Sequence, residues 1–198
     1  GKSWECIACD NRRKEISVIP FKGTATTHWE GMLNTNLHTR LVERMREVLR
    51  EEREYPYLSE NCLIRLREMR RMACEMGITE EWIVQQGTTG LYLFPWMGTT
   101  KLRTLQLALR TLGVNASIAP SGFAPIYLDL EHFFGGRYGL QRILSRLEAE
   151  EIDLDALPVK AAQRSMCKFD SALPAELLEK QLRSEMLAPL TKEDWGME

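Results

Sequence analysis

The first thirty residues carry the short apolar runs of β-strands. Apolar side chains crowd residues 3–9 and 15–19, and the polar string DNRRK separates them. Because the central Asp-Asn pair favours a turn, the two runs predict a β-hairpin. The string TATTHWEG is rich in β-branched residues and predicts a third strand that ends at Gly31. We therefore expect an N-terminal β unit, a partial barrel truncated at its start, over residues 1–33.

A helical period follows, and it predicts a first helix over about residues 35–54. Its apolar positions recur at intervals of three and four: Leu37, Leu41, Met45, Val48 and Leu49. Asn34 or Thr35 is the expected cap, and Tyr55-Pro56 is expected to end the helix.

A second helix is predicted between Ser59 and a stop at Gly77. One face of it is apolar and consists of Cys62, Leu66, Met69, Ala73 and Met76. Since the connection between the two helices is short, we expect them to pair as a helical hairpin over residues 34–77.

The remainder, residues 78–198, alternates between strand and helix patterns. EWIVQQ and GLYLFPW flank a Gly-Thr-Thr-Gly turn and predict a second hairpin, and GTTKLRTLQLALRTLG is an amphipathic helix capped by Thr99 or Thr100. VNASIA and APIYLDL predict two strands, and helices are expected over about 136–150 and 174–186. The polar tail TKEDWGME is expected to fray. This section is ββαββα-like with a C-terminal helix, which makes the whole chain α+β.

Composition and charge narrow the class of protein. The 198 residues are 44% hydrophobic and 27% charged, an ordinary globular balance. No apolar run approaches the roughly 18 residues of a membrane helix, and no signal peptide begins the chain, so we expect a cytoplasmic protein. The missing initiator Met suggests a piece of a longer protein. Residues 1–76 hold 14 Lys and Arg against 12 Asp and Glu, a net charge of +2, whereas the rest has 12 against 16, or −4, so phosphate contacts are expected in the first part.

The sequence lacks the common catalytic motifs. It contains no phosphate loop, no G-x-G-x-x-G, no serine nucleophile elbow and no H-E-x-x-H. Cys6 and Cys9 form a C-x-x-C, but a structural zinc site takes four ligands and no second pair follows. The two cysteines are therefore interpreted as small strand residues, with metal or redox use as the alternative. We expect no catalytic residue, no metal and no cofactor in this chain.

Four strings occur in a recognisable order along the chain. They are GKSWECIACDNRRKEISVIPFKG, THWEG, LYLFPWMGTTKLRTLQLALRTLG and KFDSALPAELLEKQL. Together they resemble the C-terminal region of DEAD/DEAH-box DNA helicases of the large helicase-related (Lhr-type) group. In that family this DEAD/H-associated region packs against two RecA-like ATPase domains and a winged helix, and helps to hold single-stranded DNA. The resemblance implies a part of an ATP-dependent helicase whose ATP and Mg²⁺ bind elsewhere.

Nine residues are candidate contacts to nucleic acid: Trp29, His28, Arg12, Arg13, Lys14, Arg67, Arg71, Trp96 and Lys101. Trp29 is the candidate for base stacking, because the family has a tryptophan near DNA in a similar W-x-G string; the alternative is a core Trp. Trp96 precedes a helix start, where phosphate can bind, but it could also be a hydrophobic plug that closes the hairpin onto the helix. Arg67 and Arg71 could instead form salt bridges to glutamates of the preceding helix, and turn cations often serve solubility alone.

Three functions remain open from the sequence. The first is a non-catalytic accessory domain that holds single-stranded DNA, or an RNA–DNA hybrid, beside the RecA-like and winged-helix domains of the helicase. The second is a protein-interaction module of the same helicase, facing those domains or a DNA repair partner without touching nucleic acid. The third is an independent small enzyme, which the missing motifs disfavour.

Overall fold

The structure is a computed structural model with the α+β architecture that the sequence predicts. The chain divides into two compact units, Gly1–Asn34 and Thr35–Glu198, and the helical hairpin falls within the second. Throughout the described part of the chain, no helix is long and apolar enough to cross a membrane. The structure describes residues 3–10, 13, 15–23, 36–87, 90–118, 125–130, 132–159 and 172–195.

The first unit contains the predicted hairpin. Strands β1 (Trp4–Asp10) and β2 (Glu15–Pro20) pair antiparallel, and a register shift between Cys6 and Ala8 marks a β-bulge. At the turn, the Arg13 backbone N–H donates to Asp10 Oδ1 at 3.1 Å, the local bond for which Asp is favoured in turns. The predicted third strand, TATTHWEG, lies outside the described residues.

Helix α1 (Thr39–Arg50) is shorter at both ends than predicted. Neither Asn34 nor Thr35 is the cap; instead His38 Nδ1 accepts the Arg40 N–H at 3.2 Å. The physical reason is a competing partner, because Leu37 uses its backbone N–H and C=O to bind Thr99 and so cannot enter the helix. At the other end the backbone is already extended at Glu51.

Helix α2 (Glu60–Met76) has the predicted ends. Ser59 Oγ accepts the Cys62 N–H at 3.4 Å, and Gly77 closes the helix at φ +69°, a left-handed conformation that favours glycine.

The face that α2 buries is narrower than predicted. Ala73 is buried, whereas Cys62, Met69 and Met76 are exposed. Arg70 fixes this rotation of the helix, since its guanidinium donates to the Val48 and Arg53 carbonyls, each at 2.9 Å. The apolar side chains predicted to face inward thus become a partly exposed stripe.

The second unit is built on a four-stranded antiparallel sheet in the order β3-β4-β6-β5. The predicted hairpin is confirmed as β3 (Ile83–Gln86) and β4 (Gly90–Leu93). The two later strands are short: β5 (Ser117–Ile118) and β6 (Leu128–Asp129) pair over two residues each.

Three helices pack beside this sheet: α3 (Thr99–Thr111), α4 (Gly136–Ala149) and α5 (Ala175–Met186). Gly98 rather than Thr99 or Thr100 precedes the first turn of α3, and no side chain caps it. The core between sheet and helices is mostly leucine, and its fully buried members include Leu105, Leu109, Leu128, Leu140, Leu144 and Leu182.

The tail predicted to fray is ordered through residue 195. Lys192–Trp195 forms a 3₁₀ helix, and Trp195 is buried against Trp82 with ring centroids 6.4 Å apart. Lys101 Nζ of α3 donates to both carboxylate oxygens of Asp194, at 2.6 and 2.8 Å. The prediction was wrong because the polar composition of the string outweighed two of its residues. Trp195 packs against Trp82, and Asp194 pairs with Lys101 of α3.

We expect Asp194→Ala to lower the free energy of unfolding by about 2–3 kcal/mol, because the little-exposed ammonium of Lys101 loses its counter-charge. Glu193→Ala is the matched control, since Glu193 is exposed and its loss should cost less than about 0.5 kcal/mol. Urea denaturation measures both. Equal losses in the two variants would contradict an anchoring role for this ion pair.

Candidate nucleic-acid interface

Five of the nine predicted contact residues lie in the described part of the chain. Arg13 is in the hairpin turn, and the other four are in the second unit: Arg67, Arg71, Trp96 and Lys101. Arg12, Lys14, His28 and Trp29 lie outside the described residues. Of the four in the second unit, Arg67 and Arg71 share α2, Trp96 precedes α3 and Lys101 lies in α3. Each is engaged by an intramolecular partner.

Trp96 is a hydrophobic plug and not a stacking residue. Its side chain is only 4% exposed and packs in a cluster with Val42, Val84 and Phe94. The indole N–H donates to the Ile78 carbonyl at 2.7 Å. Its φ of +52° is unusual for a bulky residue and persists because these contacts hold the side chain in place. The prediction that Trp96 contacts nucleic acid is therefore corrected, and the plug interpretation is confirmed.

Lys101 is also not available for the predicted phosphate contact. Its ion pair with Asp194 neutralises the ammonium, and the Lys101 side chain is 22% exposed. A phosphate would have to displace a carboxylate that also accepts hydrogen bonds from the Thr191 backbone N–H and hydroxyl. Lys101 thus anchors the C-terminal 3₁₀ helix.

The two candidate arginines of α2, Arg67 and Arg71, remain at the surface in ion pairs. Arg67 Nε donates to Glu54 Oε1 at 3.1 Å, and Arg71 pairs with Glu75 on its own helix at 2.7 Å. Both arginines therefore form salt bridges, but the expected partners were wrong, because neither pairs with a glutamate of α1: Glu54 follows that helix and Glu75 belongs to α2. Exposed pairs of this kind contribute about 1 kcal/mol or less, so a phosphate could replace either carboxylate.

The connection between α1 and α2 contains a charged network that the sequence did not reveal. Glu51 accepts hydrogen bonds from Arg44 Nη1 at 2.5 Å and from the Tyr55 hydroxyl at 2.7 Å. These bonds hold the pKa of the Glu51 carboxyl below its usual value, and the bond to Glu51 raises the pKa of the Tyr55 hydroxyl. Arg53 and Arg70 lie over the Tyr55 ring at 5.7 and 6.0 Å from its centroid. The network ties the connection to both α1 and α2.

A groove of about 300 Å³ runs along α1, but its charges do not favour phosphate. Both of its arginines are used by the turn that follows α2: Arg46 Nε donates to the Thr79 carbonyl at 2.7 Å, and Arg50 pairs with Glu80 at 3.0 Å. Burial lowers the pKa of the Arg46 guanidinium. The carboxylates of Glu43, Glu47, Glu193 and Asp194 share the same walls.

The start of α4 presents two aromatic rings to solvent, a feature we call the aromatic edge (Phe134, Arg137 and Tyr138). Phe134 is 92% exposed and Tyr138 is 82% exposed, the most exposed large hydrophobic side chains of the described residues. Arg137 lies between them in sequence, and its ion pair with Glu81 at 2.6 Å is itself half-exposed. No side chain caps the helix here, because Gly135 occupies the cap position.

The glycines of HFFGGRYG determine which ring points outward. Phe133 turns inward over Gly135, where an added Cβ would lie 2.6 Å from the Phe133 ring. Phe134 is thereby left outside. Tyr138 lies about 160° around the helix from the buried Leu140, away from the leucine face. The helix predicted over about 136–150 gave no hint of this edge, although three aromatics in the glycine-rich string HFFGGRYG were a signal for it.

The described residues contain no group of three or more His, Cys, Asp or Glu side chains that could hold a metal ion. No protein-family model, no curated protein and no solved structure matches the chain.

We expect Trp96→Ala to cost about 3–5 kcal/mol of stability through the cavity it leaves. Trp96→Phe should cost about 1 kcal/mol, because it keeps most of the ring but removes the N–H donated to Ile78. Thermal or urea unfolding measures both, and Trp4→Ala in the exposed hairpin is the control with a small expected effect. A stable Trp96→Ala variant would contradict the plug.

Proposed function

We propose that this chain is a non-catalytic accessory domain of an ATP-dependent DEAD/DEAH-box DNA helicase that helps to hold single-stranded nucleic acid. The four ordered strings that resemble the Lhr-type region support the parent class. The main support for nucleic-acid binding is the aromatic edge, where two rings lie almost fully in water at a helix start that no side chain caps. On this proposal ATP and Mg²⁺ bind to RecA-like domains outside this chain.

Single-strand binding requires flat side chains for bases and donors for phosphates. Phe134 and Tyr138 offer two exposed rings, and a base that stacks on them removes their apolar faces from water, which lowers the free energy of the complex. Every base has a π-face, so such rings suit a domain that must hold any sequence.

Phosphate donors lie close to these rings along the chain. The first backbone N–H groups of α4 have no side-chain cap, and the positive end of the helix dipole favours an anion there. Arg137 adds a guanidinium whose exposed pair with Glu81 contributes little and can be exchanged for a phosphate. Stacking and phosphate contacts can therefore act on neighbouring nucleotides.

One observation favours the second function, a protein-interaction module. Met69, Met72 and Met76 form an exposed stripe on α2. Methionine side chains adapt to irregular apolar partners, so this stripe suits contact with a neighbouring protein domain. The two functions are compatible if α2 faces the helicase core while the aromatic edge holds the strand.

We expect the Phe134→Ala/Tyr138→Ala double variant to bind single-stranded DNA at least about tenfold more weakly, since a base–aromatic stack contributes about 1–3 kcal/mol. Fluorescence anisotropy with a labelled oligonucleotide measures this. Tyr57→Ala is the matched control, because Tyr57 is 79% exposed on another element. If all three proteins bind equally, or the wild-type chain shows no binding that weakens with salt, the module function is favoured instead.

Trp29 is the second expected stacking residue, on the grounds of the W-x-G resemblance. Trp29→Ala should weaken single-strand binding about tenfold and leave the melting temperature unchanged. A Trp buried in a core would behave differently, with a loss of about 3–5 kcal/mol of stability. Comparing DNA affinity with melting temperature for this variant therefore separates a stacking Trp29 from a structural one.

A further inference from the structure

Regular strand alternation would place Cys6 and Cys9 on opposite faces of the hairpin. They are three residues apart, and successive side chains of a strand point to alternate faces. The bulge in β1 changes this expectation. The register passes from Cys6–Val18 to Ala8–Ser17, so two residues of β1 correspond to one step of β2.

The pairing register places both cysteines on the same face. Cys6 lies opposite Val18, and Cys9 lies opposite Ile16. Directly opposed residues of antiparallel strands point to the same face. Val18 and Ile16 are two residues apart on β2 and therefore also share a face. The bulge has turned a C-x-x-C into a same-face pair of thiols.

The separation of the two cysteines suits one ion between them. Their partners are one two-residue repeat apart, and β1 has one extra residue over this stretch, so the cysteine Cα atoms are separated by about 7 Å or slightly more. A Cα separation of that size is near the upper limit for an unstrained disulfide, whose sulfurs are about 2 Å apart. Two thiolates that each bind one metal ion at about 2.3 Å have their sulfurs about 3.8 Å apart, so a bound metal ion suits the wider separation better. The Cys6 thiol already points along the strand, donating to the Ala8 carbonyl at 3.6 Å. Both residues are exposed and neither forms a disulfide.

We propose that Cys6 and Cys9 form a two-thiolate site for a soft divalent metal ion such as Zn²⁺ or Cd²⁺. Binding forms two metal–sulfur bonds and releases the two thiol protons to solvent, with no change of oxidation state. Water completes the coordination in the isolated chain. The site is independent of the aromatic edge and goes beyond the proposed nucleic-acid function.

Cadmium titration of the reduced chain tests the site. We expect one Cd²⁺ to bind per chain with a thiolate-to-cadmium charge-transfer band in the ultraviolet. Cys6→Ser and Cys9→Ser should each weaken binding at least about tenfold, because the second thiolate acts at the high effective concentration set by the strand. The Cys62→Ser/Cys74→Ser double variant is the control, since these exposed α2 cysteines are 12 residues apart and cannot chelate one ion.

A second measurement uses the unaltered protein, so it does not depend on the variants folding. Stoichiometric Zn²⁺ should slow alkylation of Cys6 and Cys9 together, read by peptide mass spectrometry, and leave Cys62 and Cys74 unaffected. The proposal is overturned if Zn²⁺ protects Cys6, Cys9, Cys62 and Cys74 equally, or protects none of these four. It is equally overturned if either hairpin variant binds Cd²⁺ as tightly as the wild-type chain.

Discussion

The mutual pairing of the starts of α1 and α3 is the constraint on which the second unit depends. The Leu37 N–H donates to Thr99 Oγ1 at 2.9 Å, and the Thr99 N–H donates to the Leu37 carbonyl at 3.0 Å. The Gly98 N–H donates to Thr39 Oγ1 at 3.2 Å. Each helix start thereby satisfies backbone groups of the other. Gly98 has to be glycine, because a Cβ there would lie 2.8 Å from the Thr39 backbone nitrogen, which cannot move aside.

This pairing also determines the path of the backbone between β4 and α3. With Gly98 held against α1, the chain reaches it from β4 through Trp96, which is forced to positive φ and into the cluster under α1. The indole N–H then binds the Ile78 carbonyl just beyond α2. Helix α1, strand β3 and the turn that follows α2 meet at one buried ring, so the helical hairpin and the sheet section form one unit although their sequence patterns differ.

Sequence periodicity predicted the existence and order of nearly all the described elements, because each buries one face at its own repeat. It could not predict where α1 begins, since that depends on Thr99, which is 60 residues away from Thr39 along the chain. The ordered tail likewise depends on Trp82 and Lys101, which are distant in sequence. The aromatic edge was missed for a related reason. Phe133 and Phe134 are the same residue type, so the sequence pattern does not distinguish them, whereas in the structure the Phe133 ring turns inward over Gly135.

The ion pairs restrict how the proposed nucleic-acid interface of the second unit would work. Arg67, Arg71 and Lys101 each have a carboxylate partner, and so does Arg137. An arginine that exchanges a carboxylate for a phosphate gains little net Coulomb energy and releases few counterions. On the proposed function, the affinity of the second unit should therefore come mainly from stacked rings and helix amides, and it should weaken with salt less steeply than that of a cationic groove but still measurably. On the proposed function, a strand held in this way would slide one base at a time, because the four paired cations named here do not set its register. A domain proposed to guide a moving strand needs that property.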